Sequence, residues 1–226
     1  MKYLLVLIFF GAMVCAQNLA ELQSAGVTVT DDRGITHSVK RIIPAGCKVP
    51  ITNSAIWEGE FSDPEVPARC KITLVKTAGK ISPMTIAPGV ETYGELEVLR
   101  FMKTMKDPKN NYLLVDSRGN EWYRYDTIPG AVNLWFLPMK EPEKFPKRFK
   151  AIYDQLGVKR GKDGTYDYSG AATILLFCNG AWCGQSPAAV RSLLKLGYPP
   201  EKMKWYRGGM HAWKSLSMTT TRGEDE

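Results

Sequence analysis

The chain has 226 residues, of which 44% are hydrophobic and 23% are charged, and it carries a formal net charge of +7 at pH 7. This length and composition suffice to bury one substantial core, with room for a smaller second unit, and they exclude intrinsic disorder as the main state. The positive charges are dispersed along the chain. They predict a general preference for anions, and without a basic stripe or recognition motif they argue against nucleic-acid binding.

The first residues predict a signal peptide at 1–16. Lys2 precedes an apolar run that ends at Val14, and small residues lead to Ala16, the pattern of a signal-peptidase site. The run is shorter than the roughly 20 apolar residues that anchor a membrane helix. We expect cleavage after Ala16, which makes the protein exported (periplasmic in a Gram-negative bacterium, otherwise secreted) and free of the membrane. Lipidation of Cys15 and an uncleaved anchor are the alternatives.

Residues 17–90 predict a small β-rich unit. Three short runs have strand character, VTVT, HSVKRII and KITLVK, and turn-forming residues separate them. The core of such a unit would be thin, so it would gain from a covalent link.

Four cysteines remain after the predicted cleavage: Cys47, Cys70, Cys178 and Cys183. An even number in an oxidising compartment favours pairing, and proximity in the chain favours a Cys47–Cys70 disulfide, worth on the order of 3 kcal/mol. The other two connectivities, and two unpaired buried cysteines, stay open.

Beyond residue 90 the pattern changes to apolar runs that alternate with amphipathic stretches. A capping box, with Thr92 as N-cap and Glu95 three residues later, predicts a helix that ends before Asp107. The alternation is typical of an α/β domain with a mostly parallel sheet flanked by helices. We place this domain at 91–217 and expect the polar tail, 218–226, to fray. The predicted strands are 112–116, 131–136, 173–177 and 203–206, and further helices are predicted at 145–156, at 186–196 and from Met210.

The stretch FCNGAWCGQSPAAV, residues 177–190, joins a predicted strand to a predicted helix. Cys178 ends the strand, where α/β sheets place their ligands, and Ser186 is a predicted N-cap. Gly180 and Gly184 allow backbone conformations that turn amide N–H groups inward. A thiolate in such a cradle is stabilised, so we expect a lowered pKa and a nucleophilic role for Cys178. The alternative is an inert buried cysteine beside a local disulfide.

Four phrases in this region resemble the rhodanese-like domain of sulfurtransferases: LLVDSR (113–118), IPGAVNL (128–134), ILLFC (174–178) and YRGGMHAW (206–213). The resemblance spans residues 92–217. It implies that Cys178 accepts sulfane sulfur as a persulfide and passes it to a thiophilic acceptor. It also implies that the following loop residues hold the substrate, namely Asn179, Gly180, Ala181, Trp182, Gly184 and Gln185.

The loop departs from the family pattern, Cys-x-x-Gly-x-Arg. It is longer, contains no Lys or Arg, and places Cys183 five positions after Cys178. A missing guanidinium removes a charge-assisted bond worth about 1.5–3 kcal/mol to an anionic donor, and it argues against a phosphatase. Three roles are open for Cys183: a resolving thiol, a second acceptor that relays sulfur, or a residue that lines the loop.

Other polar residues receive minor roles. We expect Asp116 and Arg118 to form a structural ion pair or a loop anchor, and we assign no role to His37 or His211. Two cysteines and two distant histidines fall short of the four clustered ligands of a zinc site, so neither a metal nor a cofactor is predicted.

The sequence therefore predicts an exported sulfurtransferase or sulfane-sulfur carrier. Its substrate would be a small anionic sulfur compound, such as thiosulfate or a polysulfide, and its acceptor a thiol or a protein. Two alternatives remain: a thiol–disulfide redox protein that uses Cys178 and Cys183, and a catalytically silent module that binds a partner protein.

Overall fold

The computed structural model describes residues 26–40 and 82–223. The predicted signal peptide, the KITLVK strand, both cysteines of the proposed Cys47–Cys70 disulfide and the last three residues lie outside this part of the chain. In chain order the strands are β1 (Val27–Thr30), β2 (Thr36–Val39), β3 (Glu91–Tyr93), β4 (Tyr112–Asp116), β5 (Ala131–Asn133), β6 (Lys159–Arg160), β7 (Tyr166–Asp167), β8 (Thr173–Phe177) and β9 (Met203–Tyr206). The helices are α1 (Glu95–Met105), α2 (Asn120–Tyr125), α3 (Phe136–Lys140), α4 (Pro146–Gln155), α5 (Gln185–Lys195) and α6 (Gly209–Ser215), with a 3₁₀ turn at Pro200–Lys202.

Five parallel strands form the central sheet, in the order β3-β9-β8-β4-β5. Strand β8 lies in the middle of it, and Phe177, its last residue, is paired with Asp116 on one side and with Tyr206 on the other. Three strands therefore end at one edge of the sheet. The prediction of an α/β domain with a mostly parallel sheet is confirmed.

The two faces of the sheet are covered by different helices. Because side chains alternate along a strand, Ile174 and Leu176 join a core with α4 and α5, whereas Leu175 and Phe177 join a core with α1 and α6. All four side chains are fully buried. This burial on both sides explains the uninterrupted apolar run of β8.

The first described segment, 26–40, is an antiparallel hairpin of β1 and β2. Val27, Val29 and Val39 belong to the same core as α1, so this part of the β-rich N-terminal region packs directly against the parallel domain. The Asp31 carboxylate accepts hydrogen bonds from the backbone amides of Arg33 and Ile35, which stabilises the turn.

Helix α1 begins later than predicted. Its N-cap is Gly94, whose amide donates to the Glu97 carboxylate at 3.0 Å, whereas Thr92 lies in β3. The predicted box with Thr92 and Glu95 is therefore wrong. Pairing with β9 keeps Thr92 extended. The acidic residue that caps the helix is Glu97, the next acidic residue after Glu95.

The polar tail does not fray in residues 218–223, contrary to expectation. Thr219 donates through its hydroxyl to the Ser38 carbonyl at 3.0 Å, and its own carbonyl accepts the Trp213 indole N–H at 2.7 Å. Thr221 pairs with Thr127 through both amides. The polar residues of the tail are ordered because backbone groups and side chains of neighbouring segments are their hydrogen-bond partners.

No helix within 26–40 or 82–223 combines the length and apolar character needed to span a bilayer.

Candidate functional site

The loop between β8 and α5 lies at the edge of the sheet where the strands end. Two backbone amides of α6, those of Met210 and His211, donate to the carbonyls of Cys178 and Asn179 at 3.0 and 2.9 Å. Gly209 makes this approach possible: its φ is +57°, and a Cβ there would lie 2.2 Å from the Cys178 carbonyl oxygen. The Gly-Gly phrase and the cysteine loop therefore form one assembly.

Ser186 contacts the Cys178 sulfur directly, a role that the sequence did not predict. Helix α5 starts after Gly184, so Ser186 is not its N-cap but a fully buried residue of its first turn. Its hydroxyl donates to the Cys178 sulfur at 3.0 Å and accepts the Trp205 indole N–H at 3.0 Å. Because the indole occupies a lone pair of the oxygen, the hydroxyl hydrogen is directed at the sulfur.

The two thiols of the loop are both free and buried, with Cys178 1% exposed and Cys183 6% exposed. The Cys178 S–H is placed to donate to the Cys183 carbonyl oxygen at 3.6 Å. The predicted amide cradle around Cys178 stays a prediction.

The pKa values of the pair follow from these surroundings. The interaction with Cys178, followed by the neighbouring backbone of Gln185 and Asn179 and the charge of Arg118, outweighs burial and lowers the pKa of Cys183 to about 6. Burial, and next the neighbouring Cys183, raise the pKa of Cys178 well above its ordinary value, although the hydroxyl and amide of Ser186 oppose this. The lowered pKa expected for Cys178 alone is not found, because burial raises it and the two thiols titrate as a pair that holds one charge.

A cation does stand beside the loop, supplied by a neighbouring strand end. Arg118 is 2% exposed; it pairs with Asp116 at 2.6 Å and donates to the Asn179 side-chain oxygen at 3.1 Å. Thr127 also donates to Asp116, at 2.8 Å. The prediction of a structural ion pair or loop anchor is confirmed, since Arg118 does both, and its charge also acts on Cys183.

The remaining predicted loop residues line the same region. The Ala181 carbonyl accepts the Ser82 amide at 2.6 Å, and the Ser82 carbonyl accepts Nε of Arg207 at 2.9 Å. Gly184 is exposed and has open space beside it, whereas a Cβ on Gly180 would lie 3.1 Å from the Trp182 indole nitrogen. Three buried polar atoms here lack a protein partner: Trp182 Nε1, Gln185 Oε1 and His211 Nε2.

Within the two described ranges, no three His, Cys, Asp or Glu residues are grouped as they would be to hold a metal ion.

Residues 100–216, slightly more than half of the chain, match the family model of the rhodanese-like domain. The chain belongs to the rhodanese-like domain family. This family includes sulfurtransferases, which act on small sulfur compounds such as thiosulfate, and also inactive members. No curated protein matches the sequence.

Several solved structures resemble this rhodanese-like chain. A rhodanese with anions from E. coli is 21% identical over 50% of this chain and 99% of its own, with a TM-score of 0.32. The rhodanese-like domain of the Anabaena sp. Alr3790 protein is 18% identical over 62% of this chain and 89% of its own, with a TM-score of 0.37. The BH2092 protein of Bacillus halodurans is 18% identical over 55% and 74%, with a TM-score of 0.37.

Proposed function

We propose that this protein is a sulfurtransferase or sulfane-sulfur carrier whose reactive centre is the thiol pair Cys178 and Cys183. The observation that carries the proposal is a pair of free, buried thiols on one loop at the edge where parallel strands end, with the Cys178 sulfur 3.6 Å from the Cys183 carbonyl oxygen. The pKa of one of the pair, Cys183, is lowered to about 6. At neutral pH such a pair holds a thiolate, which is the nucleophilic form of cysteine.

The reaction is an attack of this thiolate on the outer sulfur of a small anionic donor, such as thiosulfate or a polysulfide. A sulfur–sulfur bond to the protein forms, the donor's own sulfur–sulfur bond breaks, and sulfite or a shortened polysulfide leaves with the electron pair. The positive net charge favours approach of the anion. A thiol, free or on a partner protein, then takes the sulfur.

Thiol–disulfide exchange is the second candidate, because the Cys178 sulfur lies 3.6 Å from the Cys183 carbonyl oxygen and the pKa values of the two thiols are shifted in opposite directions. That arrangement suits a redox pair as well as a sulfur carrier. A silent partner-binding module is the remaining alternative, and it requires neither thiol.

We also propose that the protein is exported after cleavage at Ala16 and that Cys47 and Cys70 form a disulfide there. The support for both is the signal-like N-terminus and the even number of cysteines that would remain.

The decisive experiment is an intact mass of the reduced protein after incubation with thiosulfate or a polysulfide. We expect a gain of one sulfur atom that is abolished in a Cys178→Ser/Cys183→Ser double variant. A Cys47→Ser/Cys70→Ser variant keeps the loop pair and should keep the adduct. No adduct on the unmodified sequence, or one that survives in the loop double variant, rejects sulfur transfer; disulfide reductase activity without an adduct supports the redox alternative.

A further inference from the structure

Arg207 is a half-buried cation at the strand end next to the cysteine loop. It follows Tyr206, the last residue of β9, and Tyr206 is paired with Phe177, which Cys178 follows. Arg207 and Cys178 therefore leave the sheet at the same level of two adjacent parallel strands, whose backbones lie about 4.8 Å apart. The arginine side chain thus begins beside the strand-end cysteine.

Two successive hydrogen bonds connect the Arg207 guanidinium to the middle of the loop. Its Nε donates to the Ser82 carbonyl at 2.9 Å, and the Ser82 amide donates to the Ala181 carbonyl at 2.6 Å. Ala181 lies between the two cysteines in the chain. Because Nε is bonded in this way, the planar guanidinium is held close to the loop, and its two terminal nitrogens remain for other partners.

Those two terminal nitrogens have no hydrogen-bond or ion-pair partner among residues 26–40 and 82–223. Other cations near the loop are already paired. Arg118 is 2% exposed and pairs with Asp116 at 2.6 Å, and Lys214 of α6 pairs with Asp126 at 2.5 Å. A cation without a carboxylate partner keeps its charge available to a ligand, so Arg207 is suited to bind an anion at the loop.

Resting on the function proposed above, we propose that Arg207 determines which sulfur donor the protein accepts, by binding the oxygens of a sulfonate-type group. The donor is then thiosulfate or a related thiosulfonate, and not a polysulfide. A guanidinium binds two oxygens of one anion through two parallel N–H bonds. Thiosulfate presents three such oxygens and a polysulfide presents none. The loop itself contains no Lys or Arg that could do this.

In the reaction, the sulfonate oxygens stay on Arg207 while the outer sulfur of thiosulfate faces the loop. The loop thiolate forms a bond to that outer sulfur, the sulfur–sulfur bond of thiosulfate breaks, and sulfite leaves with the electron pair. Negative charge increases on the sulfite oxygens during this step, and the guanidinium that holds them stabilises it. The protein gains one sulfur atom as a persulfide.

The test compares two donors on the same reduced, full-length protein. The rate of adduct formation is followed by intact mass over a range of thiosulfate and of polysulfide concentrations. In Arg207→Gln we expect the half-saturating thiosulfate concentration to rise about tenfold or more, because the anion loses charge-assisted hydrogen bonds, while the polysulfide reaction changes little. Arg207→Lys keeps the charge without the fork and should show a smaller rise. Arg191→Gln removes the same charge from an exposed position of α5 and should affect neither donor.

The outcomes separate the two proposals. An equal loss with both donors in Arg207→Gln, or an unchanged response to thiosulfate, overturns the role of Arg207 while sulfur transfer stands. No adduct from either donor on the unmodified sequence overturns the proposed function, and the role of Arg207 with it. A second measurement needs no variant: at constant ionic strength, sulfate should compete with thiosulfate on the unmodified protein. Absence of that competition also overturns the oxyanion site.

Discussion

At the scale of single residues, the site combines local and distant contributions. Cys178 and Cys183 could be predicted because strand, glycine and helix signals surround them in the sequence. Ser186 could be singled out from the sequence as an N-cap candidate, but its contact with Cys178 could not be predicted. The indole that holds its hydroxyl, that of Trp205, lies 19 positions away on a different element. Arg118 contacts the loop at Asn179, 61 positions away. Its role as an ion pair or loop anchor could be predicted, but this partner could not.

Ser186→Ala tests the hydroxyl that contacts Cys178. The variant removes the hydroxyl that opposes the raised pKa of Cys178, so formation of the sulfur adduct should slow by up to about tenfold, since a hydrogen bond has a net worth of about 0.5–1.5 kcal/mol. The Trp205 N–H loses its acceptor in a buried site, which should lower the free energy of unfolding by about 1–3 kcal/mol.

The rate of adduct formation, followed by intact mass, and denaturant unfolding check these two effects. Ser192→Ala, in the same helix, is the matched control and should change neither. Unaltered adduct formation in Ser186→Ala would mean that the hydroxyl does not assist Cys178.

At the scale of elements, the parallel sheet and most helix positions could be predicted from the alternation of apolar runs. The starts of α1 and α5 could not be predicted, because Thr92 and Ser186 are good N-cap residues by type but do not cap these helices. Thr92 pairs with β9, and Ser186 contacts the Cys178 sulfur. The contact of α6 with the loop was also missed. It depends on Gly209, which has a left-handed backbone conformation and lies close to the Cys178 carbonyl oxygen. Both features are imposed by tertiary structure and leave no local pattern in the sequence.

Gly209→Ala should disrupt the loop that carries both thiols. The new Cβ would lie 2.2 Å from the Cys178 carbonyl oxygen, so the α6 amides and the loop must separate. We expect a loss of more than about 2 kcal/mol of stability and a large fall in persulfide formation, because strain adds to the cost of a left-handed alanine.

Gly34→Ala is the control for this variant. Its φ is also positive, at +78°, but a Cβ there meets nothing within 4 Å, so only the conformational cost of about 1 kcal/mol remains. Unfolding curves and adduct yield give both comparisons. Equal losses in the two variants would contradict the close-approach argument.

At the scale of the whole molecule, the ends of the described chain meet on one side of the domain. The hairpin of β1 and β2 packs on α1, and the tail bonds it at Ser38 and Lys40. Arg33 contacts Thr221 at 3.3 Å. The polar composition of the tail predicted fraying. Composition alone could not show that the tail has backbone hydrogen-bond partners almost 180 positions earlier in the chain.

Asp31→Asn tests this corner through its pH dependence. Burial alone would raise the pKa of Asp31, but hydrogen bonds from His37 at 2.7 Å, from the Ile35 amide and from Arg33 lower it to about 2 from the ordinary 3.8. A lowered folded-state pKa means that the carboxylate stabilises the fold above about pH 4 and that this contribution disappears as the pH falls towards about 2.

The variant should therefore lose about 1 kcal/mol of stability at pH 7, a value kept small by solvent at the part-exposed Arg33 and His37, and the loss should vanish near pH 2. Thermal unfolding across this range is the measurement, with Asp32→Asn at the exposed neighbouring position as control. A deficit that is constant with pH would rule out the charge as its cause.

The burial of Arg118 at the end of a neighbouring strand has a consequence for how such proteins are found. The Arg118 guanidinium is anchored by Asp116 and contacts the loop at Asn179. Motif searches that require a fixed spacing from cysteine to arginine would pass over this chain, because the guanidinium that contacts its loop comes from another strand and is paired with a carboxylate.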